Sequence, residues 1–223
     1  MNYLSKYLEN SLIGILLSDG RLKRASKTSN VKLNINMSFN NYPYIFHLYN
    51  LFESYIGTNL KSMNIYNLDK IYFTIRFKTI SLPQLLSYYN IFYNKNVIDN
   101  KIKKRVPKKI CNKFNEVSVA HLIIGNGNYM KDRNLIKIYT NSFIKEDVLF
   151  LSIVINKLLN INSKIIHDWN DQYIIIIEKE ENVDIVRENT LPYIHPSMLY
   201  KLGIQENNIS TKKFDYFSIL NDI

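Results

Sequence analysis

With a single cysteine, Cys111, in 223 residues, the chain can form neither an internal disulfide nor a thiolate zinc site. Its four histidines, His47, His121, His167 and His195, are scattered without metal-ligand spacing. Glycine (6), proline (5) and tryptophan (Trp169 alone) are scarce, which excludes collagen-like and Pro/Gly-rich low-complexity segments. Apolar runs are short, such as Leu12–Leu17 and Tyr173–Ile177, far below the roughly 18 residues of a membrane-spanning helix. No membrane partner is expected. The N-terminus, MNYLSKYLENSLIG, lacks the apolar core of a signal peptide and the Arg/Ser-rich look of a transit peptide. Acidic residues are also few: 19 Asp and Glu face 29 Lys and Arg, a formal net charge of +10. That deficit makes a polyanion the first partner to consider.

What the chain has in excess is Asn, Ile, Lys and Tyr, the last at 17 copies. These are the residues of A/T-rich codons. An organelle genome is the natural source, and a protein made inside an organelle needs no import sequence, so a mitochondrial location is expected. Hydrophobic residues at 46% and charged residues at 22% describe a globular chain with a real core.

The chain reads as two similar halves offset by about 105 residues. The first opens with the apolar run Ser11–Leu17, closed by Ser18-Asp19-Gly20. The second opens with Val117–Ile124, closed by Gly125-Asn126-Gly127. Lys32–Phe39 then alternates strictly, with Lys32, Asn34, Asn36 and Ser38 on one face and Leu33, Ile35, Met37 and Phe39 on the other. This is a strand with one buried side. Its counterpart is Leu135–Phe143, where Lys137 falls on the polar side. Helix-period stretches follow at Tyr44–Ile56 and Glu146–Leu159, then strands at Ile71–Lys78 and Gln172–Glu178, then helical segments near Leu82–Tyr93 and Asp184–Leu191. Each half is thus helix, strand pair, helix, strand pair, helix. The fold class is α+β with antiparallel sheets. Residues 1–100 form a first repeat, 101–116 a basic, exposed connection (KIKKRVPKKICNK lies here), and 117–223 a second repeat. One monomer with internal pseudo-twofold symmetry is expected.

Two strand faces carry the functional signal. Tyr72, Thr74, Arg76 and Lys78 on one strand, with Lys32, Asn34, Asn36 and Ser38 on the other, make a sheet surface of amides, hydroxyls and cations without an acid. Such groups hold phosphates and read base edges. Lys103, Arg105 and Lys137 extend the set of nucleic-acid-binding candidates.

Two apolar helices ending in a small turn, in a two-copy α+β chain, resemble the single-chain LAGLIDADG homing endonucleases. LIGILLSDG (Leu12–Gly20) and VAHLIIGNG (Val119–Gly127) are similar to the two signature motifs. Phe92–Ile110, Thr140–Leu151 and PYIHPSMLYKL (Pro192–Leu202) resemble further landmarks of that family, in order and at its spacing. The resemblance implies two αββαββα repeats whose sheets form a saddle for nucleic acid. It implies helices crossing at a seam of small residues, Gly14 and Ser18 against Ala120 and Gly125, with His121 bulky for its place. It further implies that a carboxylate on each helix end binds a divalent cation, Mg²⁺, for phosphodiester hydrolysis. Asp19 holds the first such position. Lys104 and Lys201 hold the two basic positions that neutralise the developing charge.

The second motif departs from the pattern: Asn126 stands where the family has its acid, with none at Ile124 or Gly125. A neutral amide supplies no charge to a hard dication. The expected function is therefore binding of double-helical nucleic acid, with double-strand DNA cleavage lost or impaired. One alternative is an RNA-binding intron maturase or organelle ribosome-associated protein, and another is a nickase using Asp19 with Lys104 or Lys201. Asp132 is a distant substitute acid. Trp169 and Cys111 read as packing residues, and His195 as a turn-stabilising one. Neither an RNP-like nor a KH-like signature is present, so the sequence leaves DNA and RNA both open.

Overall fold

The structure, a computed structural model, describes residues 4–67, 70–95, 102–169 and 172–205. Lys101 of the basic stretch and residues 206–223 of the second repeat lie outside them. Helix α1 (Lys6–Leu17) starts where the Ser5 hydroxyl accepts the Leu8 amide at 3.2 Å, and α4 (Glu116–Asn126) where the Asn115 side chain accepts the Ser118 amide at 3.2 Å. Each cap satisfies an amide that the first helical turn leaves unpaired. From Leu12 to Leu17 and from Val117 to Ile124 every residue is buried. A helix apolar on all sides belongs in the middle of a fold, and these two pack against each other there.

The first repeat continues as β1 (Arg21–Arg24), β2 (Val31–Ser38), α2 (Tyr42–Leu51), β3 (Ile56–Asn67), β4 (Lys70–Thr79) and α3 (Leu85–Phe92). A short pair, β5 (Tyr93–Lys95) and β6 (Ile102–Lys104), precedes α4. The second repeat runs β7 (Gly127–Met130), β8 (Leu135–Tyr139), α5 (Lys145–Leu159), β9 (Lys164–His167), β10 (Tyr173–Ile177) and α6 (Glu180–Thr190). A 3-10 helix, Pro196–Leu202, follows. Both four-stranded sheets are antiparallel, in the orders β1-β2-β4-β3 and β7-β8-β10-β9. This is the α+β fold of two repeated αββαββα units that the sequence pattern predicts.

The strict alternation of β2 holds: Val31, Leu33, Ile35 and Met37 are buried while Lys32, Asn36 and Ser38 are exposed. It ends one residue sooner than the pattern suggests. Ser38 accepts the Asn40 amide and starts a 3-10 turn, which turns Phe39 outward to 46% exposure. The Tyr44–Ile56 helix is shifted to Tyr42–Leu51, because Pro43 suits a first helical turn and a 3-10 turn, Glu53–Tyr55, leads into β3.

The stretch expected to be an exposed connection is anchored. Val106 and Ile110 are buried at 4% and 2%, since Val106 and Ile110 are the apolar teeth of an otherwise basic segment. Trp169, expected to pack, is 78% exposed, and Cys111 is exposed as well. Cys111 sits in a 3-10 turn, Lys108–Asn112, whose one buried residue is Ile110.

Candidate nucleic-acid interface and cleft

The helix seam is built on two glycines. A methyl group on Gly14 would lie 2.3 Å from the Ser118 carbonyl oxygen and 2.7 Å from His121 Cβ; one on Gly125 would lie 2.5 Å from Ser18 Cβ. All three distances are far inside van der Waals contact, so only glycine permits this crossing. Ala120 is fully buried beside them. The Ser118 hydroxyl, which sequence reasoning missed, donates across the seam to the Asn10 carbonyl at 2.8 Å. The bulky His121 fits because Gly14 faces it, and its Nδ1 meets the Tyr44 hydroxyl at 2.6 Å. His47 and His195 lie close by, their ring centres 5.2 Å apart. His195 also accepts the Ser197 amide, which starts the 3-10 helix Pro196–Leu202, in line with its expected turn role.

The close crossing delivers Asp19 and Asn126 to one end of the helix pair. Asp19 Oδ2 lies 3.1 Å from the site of a Gly125 methyl, so its carboxylate sits over the second helix. Lys104, from β6, donates to the carbonyls of Ser18 and Gly20, both at 3.0 Å. Lys201, from the Pro196–Leu202 helix, donates to the Gly127 carbonyl at 2.8 Å. Gly20 and Gly127 close the two motifs, so the last carbonyl of each is held by a lysine, one from the connecting stretch and one from the second repeat. Burial pushes the Asp19 carboxyl up, against the pull of Lys104, Lys201 and Arg21. Burial, with repulsion from Arg21, brings Lys104 down to about 8 although Asp19 opposes this. Lys201 is lowered by burial too.

Asn126 is used differently. Its side-chain Nδ2 donates to the Tyr139 carbonyl at 2.8 Å and reaches the Leu17 carbonyl at 3.5 Å. A carboxylate has no proton to give either oxygen. Among the described residues, Asp19 at this end of the helices faces three cations, Lys104, Lys201 and Arg21. Among the described residues no cluster of three His, Cys, Asp or Glu could hold a metal ion. The donor set still fits Mg²⁺ in its usual manner, which is one or two carboxylates with phosphate and water completing the shell.

Asp19 opens onto the first sheet. A concavity of about 310 Å³ runs from Ser18 and Asp19 along Arg21, Asn34, Asn36, Arg76 and Lys78. The strand registers bring the expected face together: Asn34 pairs with Lys78, Asn36 with Arg76 and Ser38 with Thr74. Lys32 pairs with Lys23, and Tyr72 lies further out on β4 at 49% exposure. Arg21, Lys23 and Lys61 join this face without having been singled out in the sequence. Their strands were legible only as strand pairs.

Three basic candidates are placed otherwise. Arg105 is clamped on Asp147 of α5, Nε to Oδ2 at 2.7 Å and Nη2 to Oδ1 at 3.0 Å, while the Val106 amide donates to the same carboxylate at 3.0 Å. A bidentate pair of this kind ties the chain between the repeats to the second repeat, so Arg105 is a structural clamp rather than a free phosphate ligand. Lys103 is exposed on β6, and Lys137 is half-buried on β8. Asp132 is exposed in the β7–β8 turn, where it faces Arg133.

Comparison with known proteins follows this geometry. Over 198 residues the chain is 28% identical to the cytochrome b mRNA maturase bI2 of Saccharomyces cerevisiae, covering 86% of the chain and 46% of that protein. The chain therefore spans about half the length of this relative. DNA endonuclease I-ChuI of Chlamydomonas applanata is 24% identical over 210 residues, covering 90% of the chain and 96% of that protein. The homing endonuclease I-WcaI, solved on its DNA recognition sequence, shares the fold with a TM-score of 0.81 at 23% identity, over 92% of this chain and 89% of that one. The family pattern for LAGLIDADG DNA endonucleases matches residues 10–185. With that match across most of both repeats, the chain belongs to the LAGLIDADG DNA endonuclease family.

Proposed function

We propose that this family member grips duplex nucleic acid across its two sheets and is impaired in double-strand cleavage. The observation that carries the reading is Asn126: the amide at the second acid position is bonded to the Tyr139 carbonyl, leaving Asp19, among the described residues, as the one carboxylate beside Lys104, Lys201 and Arg21. A bound divalent cation would supply Lewis-acid stabilisation of the scissile phosphate and its leaving oxygen. Asp19 would hold it, and Lys104 and Lys201 would neutralise charge on the phosphate. With three cations nearby, Asp19 holds a divalent cation well only once phosphates enter the site, so metal binding is coupled to nucleic-acid binding. Arg76, Lys78, Lys32 and Lys23 position the backbone, while Asn34 and Asn36 offer amides to base edges.

The test is a supercoiled plasmid carrying a sequence enriched by binding to the full chain, incubated with Mg²⁺. The expected product is uncut or nicked circle, and nicking disappears in Asp19→Asn. Efficient linearisation overturns the impairment; failure to bind any duplex overturns the binding reading.

A second reading, an RNA-binding maturase working in mitochondria, is favoured by one observation, the 28% identity with a cytochrome b mRNA maturase over most of this chain. Intron RNA copurifying with the native chain would support it.

A further inference from the structure

We propose that the outer surface of the first repeat carries a stacking site for unpaired RNA bases, built from Phe39, Tyr42, Phe46 and Phe73. It rests on the RNA reading above and gives that reading a surface of its own, outside the cleft.

α2 covers the apolar face of the first sheet, where Tyr44, Ile45 and Leu48 enter the core. Its other side carries Tyr42, Phe46 and Asn50, each four residues from the next and so in one line. Tyr42 and Phe46 are 43% and 44% exposed. Their rings are 6.0 Å apart and within 12° of parallel. Phe39, also about half exposed, places its ring 5.9 Å from that of Tyr42. Phe73, at 61% exposure, lies on the same face of β4 as the buried Ile75 and Phe77, hence on the helix side of the sheet. Ser38 pairs with Thr74, so the turn at Phe39 leaves β2 next to Phe73. The rings thus run from α2 over the end of β2 to β4. Single exposed rings are ordinary, but a contiguous row of four marks a surface that something covers.

The polar groups around the row are amides. Asn40 and Asn50 are exposed, and Asn64, exposed too, stands directly across from Phe73 on β3. Residues 20–52 contain neither Asp nor Glu, and α2 holds no charged side chain. Glu53, the next acid, comes after the helix has ended.

The second repeat supplies a comparison. At the 107-residue spacing of Gly20 and Gly127, Tyr42 and Phe46 correspond to Leu149 and Ile153 of α5. Both of those are exposed as well, but they are aliphatic, and Lys145, Glu146 and Lys157 share their helix. Exposure is common to both outer helices; the rings and the freedom from acids belong to the first.

An aliphatic face suits any apolar partner. Rings in a row, amides at their edges and no acid to repel a phosphate suit nucleobases, because every base has a π-face to stack. The amides add donors and acceptors for base edges and for the 2′-hydroxyl. A duplex keeps its bases stacked inside, so bases that reach a surface outside the cleft come from the loops and single strands of a folded RNA.

The probe is a single-stranded RNA of about 12 nucleotides with a central 2-aminopurine, whose fluorescence falls when the base stacks on a ring. It is titrated with the full chain in EDTA. Binding should quench the fluorescence. Phe46→Leu and Tyr42→Leu keep an apolar side chain but remove a ring; each should weaken binding about 5-fold or more and relieve the quench. Phe46→Tyr should retain both, and Leu149→Ser on α5 should alter neither. DNA of the same sequence, without 2′-hydroxyls, should bind more weakly. Undiminished binding and quench in both leucine variants, or an equal loss in Leu149→Ser, would overturn the stacking site while leaving RNA binding standing. DNA bound as tightly as RNA would overturn its assignment to RNA. Self-association of the wild type that Phe46→Leu abolishes would make the row a contact between copies of the chain, against the proposal. No RNA bound by the wild type would overturn the site and the RNA reading together.

Discussion

The side-chain amide of Asn126 donates to the main-chain carbonyl of Tyr139 at 2.8 Å, tying the end of α4 to the last residue of β8. The position where the family resemblance implies a metal-binding acid carries a strut instead. Restoring the acid therefore has two consequences of opposite sign. Asn126→Asp loses a donor and sets a carboxylate against the Tyr139 and Leu17 carbonyls, a cost of about 1–3 kcal/mol. It also adds a second anionic ligand beside Asp19, which should raise cleavage of bound DNA by roughly 10² or more. The expected result is a lower melting temperature with a gain of linear product. Inert Asn126→Asp on bound DNA would show that more than the acid has decayed.

The seam makes a graded prediction. Gly14→Ala places its methyl 2.3 Å from the Ser118 carbonyl oxygen, whereas Gly125→Ala meets Ser18 Cβ at 2.5 Å and Oγ at 2.6 Å, of which only the Oγ can rotate away. Overpacking of this kind costs about 1–3 kcal/mol, and Gly14→Ala should sit at the upper end. Chemical denaturation of the two variants checks the order; equal stabilities would mean that the main-chain contact at Ser118 yields as readily as a side chain.

Arg105 should matter for the fold more than for binding. Its partner Asp147 has only 8% side-chain exposure, and the pair closes a hydrogen-bond set that includes the Val106 amide. Arg105→Ala should lower stability by about 1–3 kcal/mol, because it leaves a buried carboxylate with fewer partners. The salt slope of nucleic-acid binding should stay unchanged. A flattened slope would return Arg105 to the phosphate ligands.

Acid sensitivity follows from the histidines below the cleft. Burial, with repulsion from His195, brings His47 down to about 4, and burial, with repulsion from His47, brings His121 to about 3; His195 is lowered by burial as well. The folded state keeps these rings neutral while the unfolded chain takes up protons from about pH 6.5. Stability is therefore complete above that pH and declines as the pH falls toward 4, by up to about 1.4 kcal/mol per pH unit for each ring. Melting temperatures between pH 7 and pH 4.5 should show the decline, and His121→Asn, which keeps an acceptor for Tyr44, should soften it. A flat profile in the wild type would contradict the burial of these rings in the neutral form.

Much of this architecture was legible because it is written in local periodicity. The 2-residue alternation of β2 names its buried and open faces, and the two all-apolar helices announce themselves by having no polar side. Long-range partnerships leave no such trace. Arg105 and Asp147 are 42 residues apart in sequence, and nothing around either shows that they meet. The basic run near Lys104 looks solvated because charge density is averaged over a window, while the two apolar teeth and one half-buried lysine that fix it are single residues. The second sheet's outer face was invisible for a different reason: β10 carries isoleucine on both sides, so alternation has no contrast to display. Asn126 could be seen as a missing acid, but the carbonyl that occupies its amide comes from β8.

Lys104 and Lys201, each bonded to the last glycine carbonyl of its own motif, give the cleft a divisible inheritance. At the second helix end every part, from the glycine turn to the lysine that secures it, is encoded within one repeat, while at the first the lysine comes from the stretch that joins the two. A change in one copy leaves the other copy's parts in register. On the function proposed above, the first repeat keeps its acid while the second has an amide at the corresponding place, without either half ceasing to support the other. A duplicated gene of this design can shed catalysis by halves and drift toward binding along a route on which every intermediate still folds.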